Sequence, residues 1–183
     1  MADLTVTITE AVTLNGSSRG STNTLTVAGV DDVYHRIITA PSGVPVTVAT
    51  FHSTTGVSDA SMDVENVKYI RVTNLESSNS VILDLQIDTA ENDSAAADQG
   101  AILLEAGKSF IMGSPSDGIV VNSAAATPIT ALSSLVNLES IIVDPLAAAC
   151  RVEVFIASVV ALLKFNNKKK GELNGAPFMY PVV

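Results

Sequence analysis

The sequence predicts an all-β protein: an antiparallel β-sandwich of jelly-roll-like form, followed by an extended C-terminal arm. Three observations point there. Short runs in which apolar and polar residues alternate with period two recur along the 183 residues, whereas helical periodicity is almost absent. Gly, Pro, Ser, Asn and Asp gather between those runs, where turns belong. The apolar set makes up 47% of the chain but the aromatic set only 4%, with no Trp. Small and β-branched side chains must therefore fill the interior, which suits sheet packed on sheet.

The elements follow in order. In LTVTITEAVTL (4–14), Val6 and Ile8 alternate with Thr5, Thr7 and Thr9, the pattern of a half-buried strand. A polar stretch, NGSSRGS (15–21), turns the chain into STNTLTV (21–27), which reads as strand. VYHRIITA (33–40) and VPVTVATF (44–51) flank Pro41-Ser42-Gly43 and are expected to form a hairpin, with Val44, Val46 and Val48 on one face. A loop rich in Ser, Thr and Asp covers 52–66. VKYIRVTN (67–74), the turn LESSNS (75–80) and VILDLQID (81–88) come next. In the last of these Val81, Leu83, Leu85 and Ile87 point one way, Asp84 and Gln86 the other.

An acidic low-complexity loop, TAENDSAAADQG (89–100), precedes the strands AILLE and KSFIMG, which flank Ala106-Gly107. IVVN (119–122) follows the turn SPSDG. In SAAATPITALSSLVNL (123–138) the Ala and Leu content allows one short helix, and Pro128 forbids a long one. LESIIVDP (138–145) and CRVEVFIAS (150–158) close the body, with Val152, Val154 and Ile156 alternating against Arg151 and Glu153. Nine or ten short strands bounded by turn residues are the pattern of a sandwich or barrel.

Charge divides the chain unevenly. The formal net charge is −9. Six basic against eighteen acidic residues leave −12 on residues 1–163, and four basic against one acidic leave +3 on 164–183. We therefore read 1–163 as a β-sandwich domain and 164–183 as an arm, basic at Lys168, Lys169 and Lys170, then apolar at Phe178, Met179 and Tyr180. An apolar end on a polar stalk is composed for docking against a neighbour, and those six residues are the candidate interface. The acidic body disfavours nucleic acid and anionic membranes. Three lysines without interleaved aromatics are a weak nucleic-acid signal.

Cys150 is the lone cysteine, so no intrachain disulfide is expected. MADLTVTITE lacks the basic start and apolar run of a secretory signal. The uncharged stretch Val154–Leu163 is ten residues long, about half of the roughly 20 that a spanning helix needs. These features place synthesis in a reducing cytoplasm, where the N-x-S sequences at Asn15 and Asn92 carry no glycan.

Several residues invite a chemical reading. Gly16-Ser17-Ser18-Arg19-Gly20 matches G-x-S-x-G, which can set a nucleophilic serine on a strand-to-helix elbow. The strand-like STNTLTV that follows denies Ser18 its helix, so a polar turn between strands is the better reading. His35 lies in a strand beside Arg36 and faces a sheet surface; His52 opens a polar loop. Neither has a second His or Cys at ligand spacing, so no zinc site is expected. Asp88, Glu91, Asp93 and Asp98 offer oxygen ligands for a cation, but no glycine stands where an EF-hand needs one. An ordinary solvated loop is the default there, as for Asp31-Asp32 and for Asp59, Asp63 and Glu65. Gly107-Lys108-Ser109 lacks the earlier glycine of a phosphate-binding loop, Ile102 standing in its place. No catalytic, cofactor or metal site is expected.

ADLTVTITEAVTLNG (2–16), VKYIRVTNLESSNSVILDLQI (67–87), LLEAGKSFIMG (103–113) and RVEVFIAS (151–158) resemble, in order and spacing, a group of virion structural proteins of tailed bacteriophages, marine and cyanobacterial ones in particular. The chain differs in running about 25 residues past Ser158. The resemblance implies a β-sandwich built into the particle as a capsid cement or decoration protein, or as a tail, baseplate or fibre component. Its partners would be other virion subunits and copies of itself as a dimer or trimer, with the virion as its location. A carbohydrate- or receptor-binding module on the same sandwich is the other expectation. The scarcity of aromatic residues for stacking on sugars weighs against it.

Overall fold

The computed structural model describes residues 2–52, 62–87, 98–113, 120–121 and 136–159. Within them lie fourteen strands and no helix: β1 (Ala2–Thr9), β2 (Thr13–Leu14), β3 (Ser17–Ser18), β4 (Thr22–Val30), β5 (Asp32–Ala40), β6 (Val46–His52), β7 (Met62–Asp63), β8 (Val67–Asn74), β9 (Val81–Ile87), β10 (Asp98–Leu104), β11 (Ser109–Gly113), β12 (Val120–Val121), β13 (Val136–Pro145) and β14 (Cys150–Ser158). Four of these are two-residue pairings, which leaves ten strands of ordinary length. The all-β expectation holds.

Two sheets form the body. One is four-stranded, in the order β11-β8-β14-β5; the other runs β10-β9-β13-β6-β7, with β12 also on β13. All pairings are antiparallel except the short β6–β7 contact. One buried cluster draws Ile70, Val72, Val152, Val154 and Ile156 from the first sheet and Phe51, Val81, Leu83, Ile141 and Val143 from the second. The two sheets therefore share a core. The period-two positions of VILDLQ and CRVEVFIAS are the ones that enter it, since successive side chains leave opposite faces of a strand. Each such aliphatic side chain contributes about 1.5–3 kcal/mol by leaving water.

The polar groups inside are paired. Asn74, fully buried, donates from Nδ2 to the carbonyls of Asn79 (2.8 Å) and Leu104 (3.1 Å) and accepts the Glu76 amide at 3.0 Å. Its own amide donates to Lys108 at 2.9 Å, and its carbonyl accepts from Gly107 at 3.1 Å. One side chain thus locks the end of β8 to both adjoining loops. Ser140 Oγ reaches Gln86 Oε1 at 2.5 Å, and Tyr34 Oη crosses to the Val48 carbonyl at 3.2 Å. Among the described residues no buried side-chain nitrogen or oxygen lacks a partner. The Cys150 thiol is buried and donates to the Ala148 carbonyl at 3.3 Å; burial raises its pKa.

Two local expectations are corrected. The runs 33–40 and 44–51 are not a hairpin: β5 pairs with β14 and β6 with β13, in different sheets. The Pro41–Val44 turn closes through Val44 N–H to Pro41 O. It is also tied to the β13–β14 connection by Gly43 N–H to Pro145 O (3.0 Å) and Ser42 Oγ–H to Ala147 O (3.1 Å). That attachment carries the chain across the core, leaving Val44 exposed while Val48 is buried. LTVTITEAVTL, in turn, is not one strand. β1 ends at Thr9, and β2 begins at Thr13. The Ala-rich segment 123–135 lies outside the described residues.

Candidate functional site

Outside the body stands a ribbon of β1 and β4, paired from Ala2↔Val30 to Thr9↔Thr22. Its inner half lies on the outer face of the four-stranded sheet. Leu4, Val6 and Leu25, with buried Val27 and Val30, pack on Tyr69, Phe155 and Ala157 as a second cluster. Gly113 permits the close approach, since a Cβ there would stand 2.7 Å from Leu25 Cδ2. Burial beneath the ribbon raises the Tyr69 phenol pKa, and Arg71 pulls it the other way. The outer half leaves the body behind. Every residue from Thr7 to Arg19 is exposed, including Ile8, Val12 and Leu14.

The ribbon's end explains the G-x-S-x-G match. Asn15 and Gly16 both have positive φ (51° and 76°) between β2 and β3, the Asn-Gly arrangement of a two-residue hairpin turn. Gly20 passes so near β1's end that a Cβ there would lie 1.9 Å from the Glu10 carbonyl oxygen. Both glycines thus serve backbone geometry. Ser18 sits in the exposed two-residue strand β3, and β4 follows. The helix of a nucleophile elbow is replaced by a strand.

The uncovered half of the same sheet face carries the densest polar chemistry in the described residues. Pairing sets Arg71, Phe155 and His35 in one row across β8, β14 and β5, and Thr73, Glu153 and Ile37 in the next. Glu153 therefore sits between His35 and the Arg71 guanidinium. His35 Nε2 lies 2.7 Å from its Oε1, and Arg71 donates to its Oε2 at 2.8 Å. Arg71 also donates to Thr73 Oγ1 at 3.3 Å, and Thr73 shares a 2.8 Å hydrogen bond with Ser109. The chain Ser109–Thr73–Arg71–Glu153–His35 spans all four strands. The hydrogen bond from His35, aided by Arg71, holds the Glu153 carboxyl below its ordinary pKa. Phe155 lies beneath the cluster, its ring centroid 5.9 Å from the Arg71 guanidinium and 5.7 Å from the His35 ring.

Chemically this is a solvent-facing ion-pair belt. Ser109 and His35 stand on opposite edge strands, about 14 Å apart at the usual strand spacing, too far for a nucleophile and its base. A similar pair closes the other end of the face, where Arg151 donates to Glu76 Oε1 from its backbone amide (3.0 Å) and from Nε (3.2 Å). Those bonds lower the Glu76 pKa.

Of the residues singled out in the sequence, His35 faces a sheet surface as expected. Asp63 makes a local turn, accepting from the Glu65 amide (3.1 Å) and from Asn66 Nδ2 (2.7 Å). His52 ends β6 instead of opening a loop. Lys168, Lys169, Lys170, Phe178, Met179 and Tyr180 lie outside the described residues, as do Asp59, Asp88, Glu91 and Asp93; Asp98 begins β10. Among the described residues no three His, Cys, Asp or Glu side chains gather as a metal site, and no helix is long and apolar enough to cross a membrane. The sequence reading missed Arg71 and Glu153 as partners of His35. Alternation puts each on an outward face, but only strand order makes them neighbours. No protein-family model, curated protein or solved structure matches this chain.

Proposed function

We propose that this chain is a non-enzymatic structural protein of a tailed-phage virion, a jelly-roll β-sandwich acting as a capsid cement or decoration protein that bridges neighbouring subunits. The observation that carries this reading is the outer half of the β1–β4 ribbon. It is rooted on the body by Leu4, Val6 and Leu25 and closed at its tip by the β2–β3 pairing, yet it presents Ile8, Val12 and Leu14 to solvent. Such an arm reaches across a subunit boundary and buries apolar surface with little further ordering cost, because its backbone is already paired.

Strand order supports the jelly roll. β5 pairs β14, β6 pairs β13, β8 pairs β11 and β9 pairs β10, so the first half of the body nests against the second in reverse. The β5–β6, β8–β9, β10–β11 and β13–β14 connections each pass from one sheet to the other. That nesting belongs to the double-sheet jelly roll, an architecture of viral capsid and lectin domains. The resemblance in residues 2–16, 67–87, 103–113 and 151–158 points the same way. By composition, the basic-then-apolar residues 164–183 are a second contact element, with Lys168–Lys170 meeting the acidic bodies of neighbours and Phe178, Met179 and Tyr180 as anchors.

Purified virions test the reading. Quantitative mass spectrometry is expected to find the chain at a fixed copy ratio to the major capsid protein, and imaging to place it on the particle. Its absence from purified particles overturns the proposal. Leu14→Asp at the ribbon end and deletion of 164–183 are each expected to lower occupancy in folded protein. Full occupancy in both variants removes the bridging role.

A further inference from the structure

We propose that β5 is a dimerisation strand, along which two copies of this chain pair antiparallel about a two-fold axis through His35. This inference is independent of the virion reading. Among the described residues β5 is the longest edge of the body: nine residues, paired only with β14 on its inner side. The opposite edge of the same sheet, β11, has five. An edge strand presents a row of open N–H and C=O groups, which proteins usually blunt with Pro, Lys, bulges or short length. β5 has no Pro and no Lys, its register with β14 is unbroken from Asp32 to Ala40, and its charged residues on the core-side face, Asp32 and Arg36, are opposite in sign. Val33 and Ile37 stand exposed on its outer face, Ile37 at 63% the most exposed of the large apolar side chains among the described residues.

The sequence of β5 is self-complementary in one register. A two-fold axis perpendicular to the sheet keeps outward side chains opposite outward ones, so it must pass through a residue. Through His35, Val33 opposes Ile37 of the second copy twice, and Tyr34 opposes Arg36 twice. Arg36 already lies over the Tyr34 ring of its own chain, 5.6 Å from the centroid. It would gain the second ring and, diagonally, the Asp32 carboxylate of the second copy. The two His35 rings meet on the axis, each carrying its own Glu153 carboxylate at 2.7 Å, with Arg71 bound to the far oxygen of that carboxylate. The neighbouring registers are worse. An axis through Arg36 opposes two guanidinium groups, one through Tyr34 sets Ile37 against Asp31, and one through Ile37 sets Val33 against Pro41. Opposite charges and matched apolar pairs favour a second copy over an unrelated strand.

The test is the mass of the purified full chain by light scattering over a concentration series, together with cross-linking. A dimer is expected, and Ile37→Lys should return it to monomer while the far-ultraviolet spectrum stays that of the folded protein. His35→Cys should oxidise to a disulfide-linked dimer, because directly opposed residues of an antiparallel pair have Cα atoms about 4.5–5.5 Å apart, within disulfide reach. Thr7→Cys, on the ribbon, should stay unlinked. A wild-type chain that is monomeric up to its solubility limit overturns the proposal. So does a dimer that survives Ile37→Lys, or one in which Cys at position 35 fails to cross-link.

Discussion

β1 and β8 are both eight residues long and both alternate, yet they end in opposite environments. In β8 six of eight residues are buried; in β1 none is, and only Leu4 and Val6 are partly covered. The difference lies in their neighbours. β8 has β11 on one side and β14 on the other, core below, and at Tyr69 the ribbon above. β1 has β4 alone, and the sheet beneath stops short of Ile8. The same strand pattern therefore yields a stability element in one place and an unclaimed contact surface in the other.

Four measurements test that contrast. The largest effect is expected at Ile70, fully buried in β8: Ile70→Ala should cost about 2–5 kcal/mol in denaturant unfolding, whereas Ile8→Ala in β1 should stay within about 0.5 kcal/mol. Equal costs would mean that the ribbon's outer half is packed after all. Next is Asn74→Ala, which strands the carbonyls of Asn79 and Leu104 and the Glu76 amide; about 1–3 kcal/mol should be lost in the same assay.

Gly20→Ala belongs to the ribbon alone. The added Cβ collides with the Glu10 carbonyl, and the resulting strain of about 1–3 kcal/mol should appear as faster amide exchange in β1 and β4 with the body's unfolding midpoint unchanged. The smallest effect is acid sensitivity. His35, then Arg71, depress the Glu153 pKa, so this pairing stabilises the fold fully above the ordinary carboxylate range and loses its contribution as pH falls through the lowered folded value. Glu153→Gln should flatten the fall in melting temperature between about pH 5 and pH 2, by a margin typical of a partly exposed pair.

The individual strands were legible wherever alternation was regular and the ends carried turn residues. VKYIRVTN and CRVEVFIAS are β8 and β14, and Val81, Leu83 and Leu85 enter the core as their spacing indicates. The polar turn expected around Ser18 is the one that forms, with Asn15-Gly16 at its tip between β2 and β3. The 33–51 hairpin failed for a definite reason. A Pro-Ser-Gly turn reads alike whether it reverses a strand within a sheet or lifts the chain to the next one, and only the bonds to Pro145 and Ala147 distinguish the two. The ion-pair belt was half legible: His35 and Glu153 both alternate outward, but 118 residues separate them.

By itself the sequence determined the class of structure, the places where the chain turns and which face of each strand is apolar, because these depend on side-chain period and local backbone preference. The tertiary structure alone decided which strands are neighbours. Strand pairing joins residues far apart in the chain through backbone groups that every residue shares, so adjacency leaves little mark on local sequence. From adjacency came the belt at Glu153, the open edge of β5 and the free half of the ribbon.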